Sequence, residues 1–226
     1  VVPYFGYSRQ DRKSSSRSPI TSKLVMDMLI GSGIQRVLSM DLHAAQIQGF
    51  ANIPVDNLYS LPLMAIDIRE HYHTDDLVVV SPDVGGVRRA RALAKVLDCP
   101  MAIIDKRRDS PNSSKVLHVI GEVKNKTCLL YDDMIDTAGT ICHAADALTT
   151  KHGANKVVAY ASHGVLSGSA MTRLAQSQIT ETVLTDSIPQ PEGAKAARLR
   201  TIPSAPLLAE AMHRVLTGAS LSALFE

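Results

Sequence analysis

Two adjacent carboxylates followed by small residues make the stretch Leu129-Leu130-Tyr131-Asp132-Asp133-Met134-Ile135-Asp136-Thr137-Ala138-Gly139-Thr140 the sharpest chemical signal in the chain. An apolar strand runs into Asp132 and Asp133, and the chain then turns through Asp136, Thr137, Ala138, Gly139 and Thr140 into a helix expected to begin near Ile141. Small residues let several backbone N–H groups converge on one anion, and the start of a helix adds partial positive charge. The loop therefore reads as a phosphate cradle, with the two carboxylates placed to accept hydrogen bonds from the vicinal hydroxyls of a sugar. No Lys stands where a P-loop would put one, which argues against a nucleoside triphosphate bound in that style. The plainer alternative is a strand end with helix-capping Asp and Thr.

Four other segments carry groups suited to phosphate chemistry. Tyr4-Phe5-Gly6-Tyr7-Ser8-Arg9-Gln10-Asp11-Arg12-Lys13 gathers aromatic, amide and basic side chains that could stack a base and neutralise phosphates, or simply form a solvated basic loop. Met40-Asp41-Leu42-His43 ends a buried strand on an imidazole, which could be a ligand or a hydrogen-bonding histidine of the ordinary kind. Ser81-Pro82-Asp83-Val84-Gly85-Gly86-Val87-Arg88-Arg89-Ala90-Arg91 follows another buried strand with a carboxylate, two glycines and a basic helix start; a tight turn capped by Asp83 is the alternative. Asp105-Lys106-Arg107-Arg108 is a compact cluster of cations ahead of Asp109-Ser110-Pro111-Asn112-Ser113-Ser114, whose composition suits a mobile loop.

The elements that must hold these groups are legible from the pattern of apolar residues. Short apolar, largely β-branched runs recur at Arg36 to Met40, Leu77 to Val80, Met101 to Ile104, Thr127 to Leu130, Lys156 to Tyr160 and Thr182 to Thr185. Their continuous apolarity predicts strands buried on both faces. Between them lie helical spacings such as Ile20, Leu24, Met28 and Ala92, Val96. Strand and helix alternate, so the fold class is α/β with a mostly parallel sheet flanked by helices. Pro19 is placed to open the first helix, and Gly31-Ser32-Gly33 to close it. A domain junction is expected near Pro54 to Pro62, and a surface loop over Ile188 to Ala197.

At 226 residues and 45% hydrophobic composition the chain can bury one large core or two smaller ones. Its net charge of +2 carries no excess that would point to nucleic acid. Three cysteines, Cys99, Cys128 and Cys142, show neither close pairing nor metal-ligand spacing and suit a reducing compartment, so the cytoplasm is the expected location. No apolar run has the ~18 residues of a membrane span, and the N-terminus has no signal layout. The first residues, Val1-Val2-Pro3-Tyr4, read as a strand entered part-way, so the chain is expected to lack an N-terminal segment.

Taken together, these strings resemble the ribose-phosphate pyrophosphokinase family. The likeness extends to the turn His163-Gly164-Val165-Leu166-Ser167-Gly168 and to Gly218-Ala219-Ser220-Leu221-Ser222-Ala223-Leu224-Phe225. The resemblance implies two similar phosphoribosyltransferase-like halves, the first truncated: residues 1–60 with about 205–226 packed back on them, and 61–204 carrying the ribose 5-phosphate loop, with the active site in the cleft. It implies ATP and ribose 5-phosphate as substrates, Mg²⁺ as cofactor, and a homo-oligomer, commonly a hexamer, with no nucleic-acid or membrane partner. By the same resemblance Arg9, Gln10 and Asp11 contact ATP, and His43 and Asp83 are associated with Mg²⁺. Lys106 and Arg108 are catalytic, Arg108 also touching substrate, and Asp132, Asp133 and Asp136 to Thr140 form the ribose 5-phosphate site. Ser167-Gly168-Ser169 departs from the family's Ser-Gly-Pro, and Gly218-Ala219-Ser220 from its Gly-Glu-Ser. Two other readings remain at this stage: a phosphoribosyltransferase, which the Asp132 to Thr140 string alone would also fit, and a non-catalytic associated subunit.

Overall fold

The computed structural model describes residues 1–107 and 116–224, with side chains over 1–105 and 118–224. The chain divides into two compact units, one of Val1–Pro62 with Ser204–Glu226 and one of Leu63–Pro203.

In the first unit, strands β1 (Val37–Met40) and β2 (Val55–Leu58) pair in parallel, from Val37 opposite Val55 to Met40 opposite Leu58. Val2 adds a parallel bridge to Ser39. Helix α1 (Thr21–Gly31) and a 3-10 turn at Ala45–Phe50 belong to this unit, whose buried cluster is Phe5, Met26, Val37, Leu42 and Ile47. Pro19 stands two residues ahead of α1 rather than inside it. Gly33 takes a left-handed φ of 94° and donates to the Ile30 carbonyl, which ends the helix as its composition suggested.

The face of α1 differs from the expected one. Leu24 and Met28 are 50% and 66% exposed, while Ser22 and Met26 are buried. The helix is apolar around most of its circumference, since Val25, Leu29 and Ile30 also pack on the core, so apolar spacing alone does not choose its inner face. Ser22 can be inside because its hydroxyl donates to the Tyr7 carbonyl at 2.6 Å.

The second unit carries a seven-stranded sheet. Its strands are β3 (Leu77–Ser81), β4 (Met101–Arg107), β5 (Val116–Ile120), β6 (Thr127–Ile135), β7 (Lys156–Gly164), β8 (Glu181–Thr185) and β9 (Leu199–Ile202), in the order β5-β4-β3-β6-β7-β8-β9. All pairings are parallel except the antiparallel one of β4 with β5. Helix α2 (Leu61–His71) leads into β3, helices α3 (Val87–Leu97), α4 (Gly139–Asp146) and α5 (Ala170–Gln176) connect later strands, and α6 (Ala205–Thr217) follows in the first unit. The fold is thus α/β with a mostly parallel sheet. Strands β3, β6 and β7 are buried almost throughout, because helices cover both faces of such a sheet. On α3 the inner face is Ala90, Leu93, Ala94 and Leu97, whereas Ala92 is exposed and Val96 is 38% exposed, so the expected Ala92 and Val96 face is turned outward.

Strands β2, β5 and β9 are additional to those expected from the sequence; β2 and β9 are short and partly polar, whereas β5 reads Val116-Leu117-His118-Val119-Ile120, a largely apolar run. In β2, Asp56 pairs with Arg36 at 2.6 Å and the Asn57 side-chain oxygen accepts from the Leu42 N–H at 2.9 Å, which makes two polar residues compatible with a strand. Strands β5 and β9 are the edges of their sheet, and β9 can carry the charged Arg200 because one side of an edge strand needs no partner.

The β9 edge is fastened by ion pairs. Arg200 donates to both oxygens of Asp67 on α2, at 2.5 and 2.8 Å, and to Glu181 on β8 at 3.0 Å. Tyr160 and Tyr72 donate to Asp67 and Glu181 at 2.6 and 2.8 Å. Burial opposes ionisation of both carboxyls, but the hydrogen bonds from Arg200 and the tyrosines outweigh it and hold them below their ordinary values. That stabilisation is present above the ordinary carboxylate range and is lost as pH falls through it. Arg200→Met should lower stability at pH 7 by about 2–3 kcal/mol, less than a fully buried pair because 29% of the Arg200 side chain stays exposed. Protonation then relieves the unpaired Asp67, so the deficit relative to wild type should shrink from pH 7 to pH 4 in urea unfolding.

Candidate functional site

The carboxyl ends of β3 and β6 bring the second unit's candidate groups together. After β3 the chain makes a tight turn: Ser81 Oγ donates to the Asp83 carbonyl at 2.7 Å, and the Gly86 N–H donates to Asp83 Oδ1 at 3.0 Å. A side chain at Gly86 would meet Ser81 Oγ at 3.0 Å, Asp83 Oδ1 at 3.8 Å and Asp132 Oδ1 at 3.9 Å. Glycine at this position spares a tight approach to Ser81 Oγ, and the Asp83 and Asp132 carboxylates both come within ordinary contact distance of the same backbone point. Asp83 thus caps its turn, as the plainer reading had it, and also borders the carboxylate pair.

Strand β6 runs to Ile135, so Asp132 and Asp133 lie within it and not beyond its end. The extension follows from β7, which matches it residue for residue up to Ile135 opposite Gly164. Asp133 is 2% exposed, and the Asp132 carboxylate accepts from the Asp133 N–H at 2.9 Å. Arg89, on the first turn of α3, reaches both: its Nη1 lies 3.0 Å from Asp132 Oδ1 and 3.3 Å from Asp133 Oδ1. Burial, then the neighbouring Asp133 charge, raise the Asp132 carboxyl well above its ordinary value, and Arg89 opposes them. Arg89 lay in the Ser81 to Arg91 string without a role of its own. Nothing in its local spacing says that it meets residues 43 positions on.

Beyond β6 the loop Asp136 to Ala138 leads into α4, whose first residue is Gly139, two ahead of the expected start. Ala138 sits at φ 60°, ψ 0°, a left-handed conformation that costs a residue with a side chain ~1–2 kcal/mol. The Thr137 carbonyl accepts from Arg173 Nη1 of α5 at 2.9 Å, and the Asp136 carboxylate accepts from the Ser167 hydroxyl. An anion in this loop would meet backbone N–H groups and the positive end of α4.

In the first unit, Arg9, Gln10 and Asp11 lie on a loop tied down at both ends. Ser22 N–H donates to the Gln10 carbonyl at 3.1 Å, Ser22 Oγ to the Tyr7 carbonyl, and Gln46 Nε2 to Asp11 Oδ2 at 2.5 Å. Gln46 belongs to the segment that follows His43, so Asp11 and the exposed His43 are carried by connected stretches of chain. The turn before His43 is itself fixed: Asp41, at φ 44°, accepts from the Ser60 N–H at 2.9 Å. Lys106 lies in β4, paired with Leu117 of β5. Arg108 and the stretch Asp109 to Ser114 lie outside the described residues.

What the fold and geometry define is a class: an α/β protein with a loop of small residues after paired carboxylates near the carboxyl end of a central parallel strand. Comparisons with known proteins narrow it. The phosphoribosyl synthetase-associated domain family matches residues 88–226, and the N-terminal domain of ribose phosphate pyrophosphokinase matches residues 1–33. A ribose-phosphate pyrophosphokinase of Agrobacterium fabrum is 54% identical over 227 residues, which takes in all of this chain and 73% of that relative. One from Caulobacter vibrioides is 56% identical over 229 residues, again across the whole chain and 73% of the relative. The crystal structure of phosphoribosylpyrophosphate synthetase from Mycobacterium smegmatis superposes with a TM-score of 0.88 at 43% identity, over 96% of this chain and 70% of that one. The chain belongs to the ribose-phosphate pyrophosphokinase family. Membership removes the phosphoribosyltransferase reading that the Asp132 to Thr140 string alone left open.

The raised Asp132 carboxyl gives a test that needs no substrate. With its folded value above the unfolded one, stability is fully present below the ordinary carboxylate range and is lost as pH rises through the raised value. Asp132→Asn should therefore be more stable than wild type to urea at pH 8, and the gain should shrink at pH 5.

Proposed function

We propose that this chain transfers the β,γ-pyrophosphoryl group of ATP to the anomeric hydroxyl of ribose 5-phosphate, giving 5-phosphoribosyl 1-pyrophosphate and AMP for nucleotide biosynthesis. The observation that carries the reading is the β6–α4 segment, where two carboxylates precede a loop of anion-binding shape, in a member of this family. The 5-phosphate sits in the loop from Asp136 to Thr140, and Asp132, whose side chain is 25% exposed, accepts hydrogen bonds from the ribose hydroxyls, while Asp133 backs it from the interior. Arg89 keeps the two carboxylates together and partly neutralised, so that they present acceptors rather than repel the ligand.

The anomeric oxygen attacks the β-phosphorus, the bond from that phosphorus to the α,β-bridging oxygen breaks, and AMP carries away the electron pair. Charge builds on the bridging and equatorial oxygens. Lys106 and Arg108 supply cations to it, while Arg9, Gln10 and Asp11 hold the nucleotide. Mg²⁺ adds charge neutralisation on the transferring phosphates when bound. Asp83, a hard carboxylate, is of a type that suits such an ion, whereas His43 offers a nitrogen, which Mg²⁺ takes seldom. Among the described residues there is no group of three or more His, Cys, Asp or Glu that could hold a metal ion. Among the described residues no helix is long and apolar enough to cross a membrane. We assign the enzyme to the cytoplasm as a homo-oligomer, on its three free cysteines and on the family it belongs to.

Incubation with ATP, Mg²⁺ and ribose 5-phosphate should yield AMP at a rate that depends on the sugar; AMP formed equally well without it, or none at all, refutes the assignment. Lys106→Ala should reduce turnover by about 100- to 1,000-fold, the scale for removing one transition-state donor. Its ribose 5-phosphate affinity should remain near wild type, measured by calorimetric titration.

A further inference from the structure

Three successive carbonyls of the anion loop are held by one short piece of chain. The Leu166 N–H donates to the Ile135 carbonyl at 3.1 Å, the Ser167 N–H to the Asp136 carbonyl at 3.1 Å, and Arg173 Nη1 to the Thr137 carbonyl at 2.9 Å. A peptide group is planar and trans, so its C=O and N–H point in opposite directions. Drawing these three carbonyls toward residues 166–173 therefore turns the N–H groups of Asp136, Thr137 and Ala138 the other way. Successive N–H groups presented on one side, with a left-handed residue among them, form an anion-binding concavity.

The arrangement resists its own alternatives. Without the Arg173 contact the Thr137–Ala138 peptide could flip, which would relax Ala138 from its φ of 60° and present a carbonyl oxygen to the anion. The Ser167 hydroxyl also engages the Asp136 carboxylate, the one formal negative charge inside the loop. The holding segment is itself costly in conformation, since Leu166 at φ 50° and Gly168 at φ 59° are both left-handed.

We propose that Ser167 and Arg173 are positioning residues that fix the loop with its N–H groups toward the 5-phosphate of the acceptor sugar, so that the anion site exists before the sugar binds. This rests on the reading of Asp136 to Thr140 as the phosphate cradle. Neither residue needs to touch the substrate.

The test is calorimetric titration of the full chain and its variants with ribose 5-phosphate, and separately with ATP. Arg173→Met should weaken ribose 5-phosphate binding about tenfold, the size of one hydrogen bond from a charged group. Arg173→Lys, which can still donate to the Thr137 carbonyl, should recover most of that loss. Ser167→Ala should weaken the sugar phosphate by a few-fold, with ATP affinity within twofold of wild type in all three. If Arg173→Met fails to fold, the lysine and Ser167 variants carry the test. Equal losses for both ligands would mean a general structural role and overturn the proposal. Unchanged sugar-phosphate affinity in Arg173→Met, beside a large loss in Asp136→Ala, overturns the proposal and leaves the cradle reading intact. If Asp136→Ala is also without effect, the cradle reading fails and the proposal with it.

Discussion

Two neighbouring carboxylates on a central strand repel each other, and much of the second unit is arranged around that repulsion. At an effective dielectric near 20, unit charges about 4 Å apart interact by roughly 4 kcal/mol, a sizeable part of a domain's net stability. Asp133 has almost no access to water, so screening by solvent is of little help to it. The relief comes from Arg89, whose reach depends on where α3 begins, and that depends on the Ser81 to Gly86 turn. Replace Gly86 with any larger residue and the added carbon meets Ser81 Oγ at 3.0 Å, inside ordinary contact. A constraint on two side chains is thereby passed to a glycine, a helix start and a strand register.

The same unit holds a second group of buried acids with the opposite balance. Asp67 and Glu181 are met by a bidentate arginine and two tyrosine hydroxyls, and their carboxyls are held below the ordinary range. Asp132 shares one arginine with Asp133 and is raised instead. Both sets pair carboxylates with an arginine; what differs is that Asp67 and Glu181 stand apart and share Arg200 with two tyrosine hydroxyls, whereas Asp132 and Asp133 are adjacent and repel each other across Arg89.

The sequence made visible what depends on neighbours along the chain. Continuous apolar runs marked β3, β6, β7 and β8, because a parallel strand covered on both faces must be apolar throughout. The glycines of the Ser81 to Arg91 string and the small residues from Asp136 to Thr140 were legible for a similar reason, since backbone crowding is a local matter. Strands β2 and β9 were not legible: their polar residues are tolerated by side-chain pairing in the first and by edge position in the second, whereas β5 is a largely apolar run that its composition did not hide. The inner faces of α1 and α3 were misjudged, the first because most of its circumference is apolar and Ser22 is inside for its hydrogen bonds. Apolar spacing reports which residues can be buried, not which will be.

The residues that complete the site came from far along the chain. Arg89 meets Asp132 across 43 positions and Arg173 meets Thr137 across 36, so only the folded sheet brings either pair together. Both are arginines with an ordinary surface-helix appearance in the sequence, where a solvated cation is the default expectation. Their common feature in the fold is that each donates to groups that cannot satisfy themselves: a repelling pair of carboxylates, and the carbonyl of a peptide next to a left-handed alanine. A site built from backbone N–H groups and carboxylate acceptors needs such supports, because its working atoms must be aimed before a ligand arrives and cannot gain their orientation from one another.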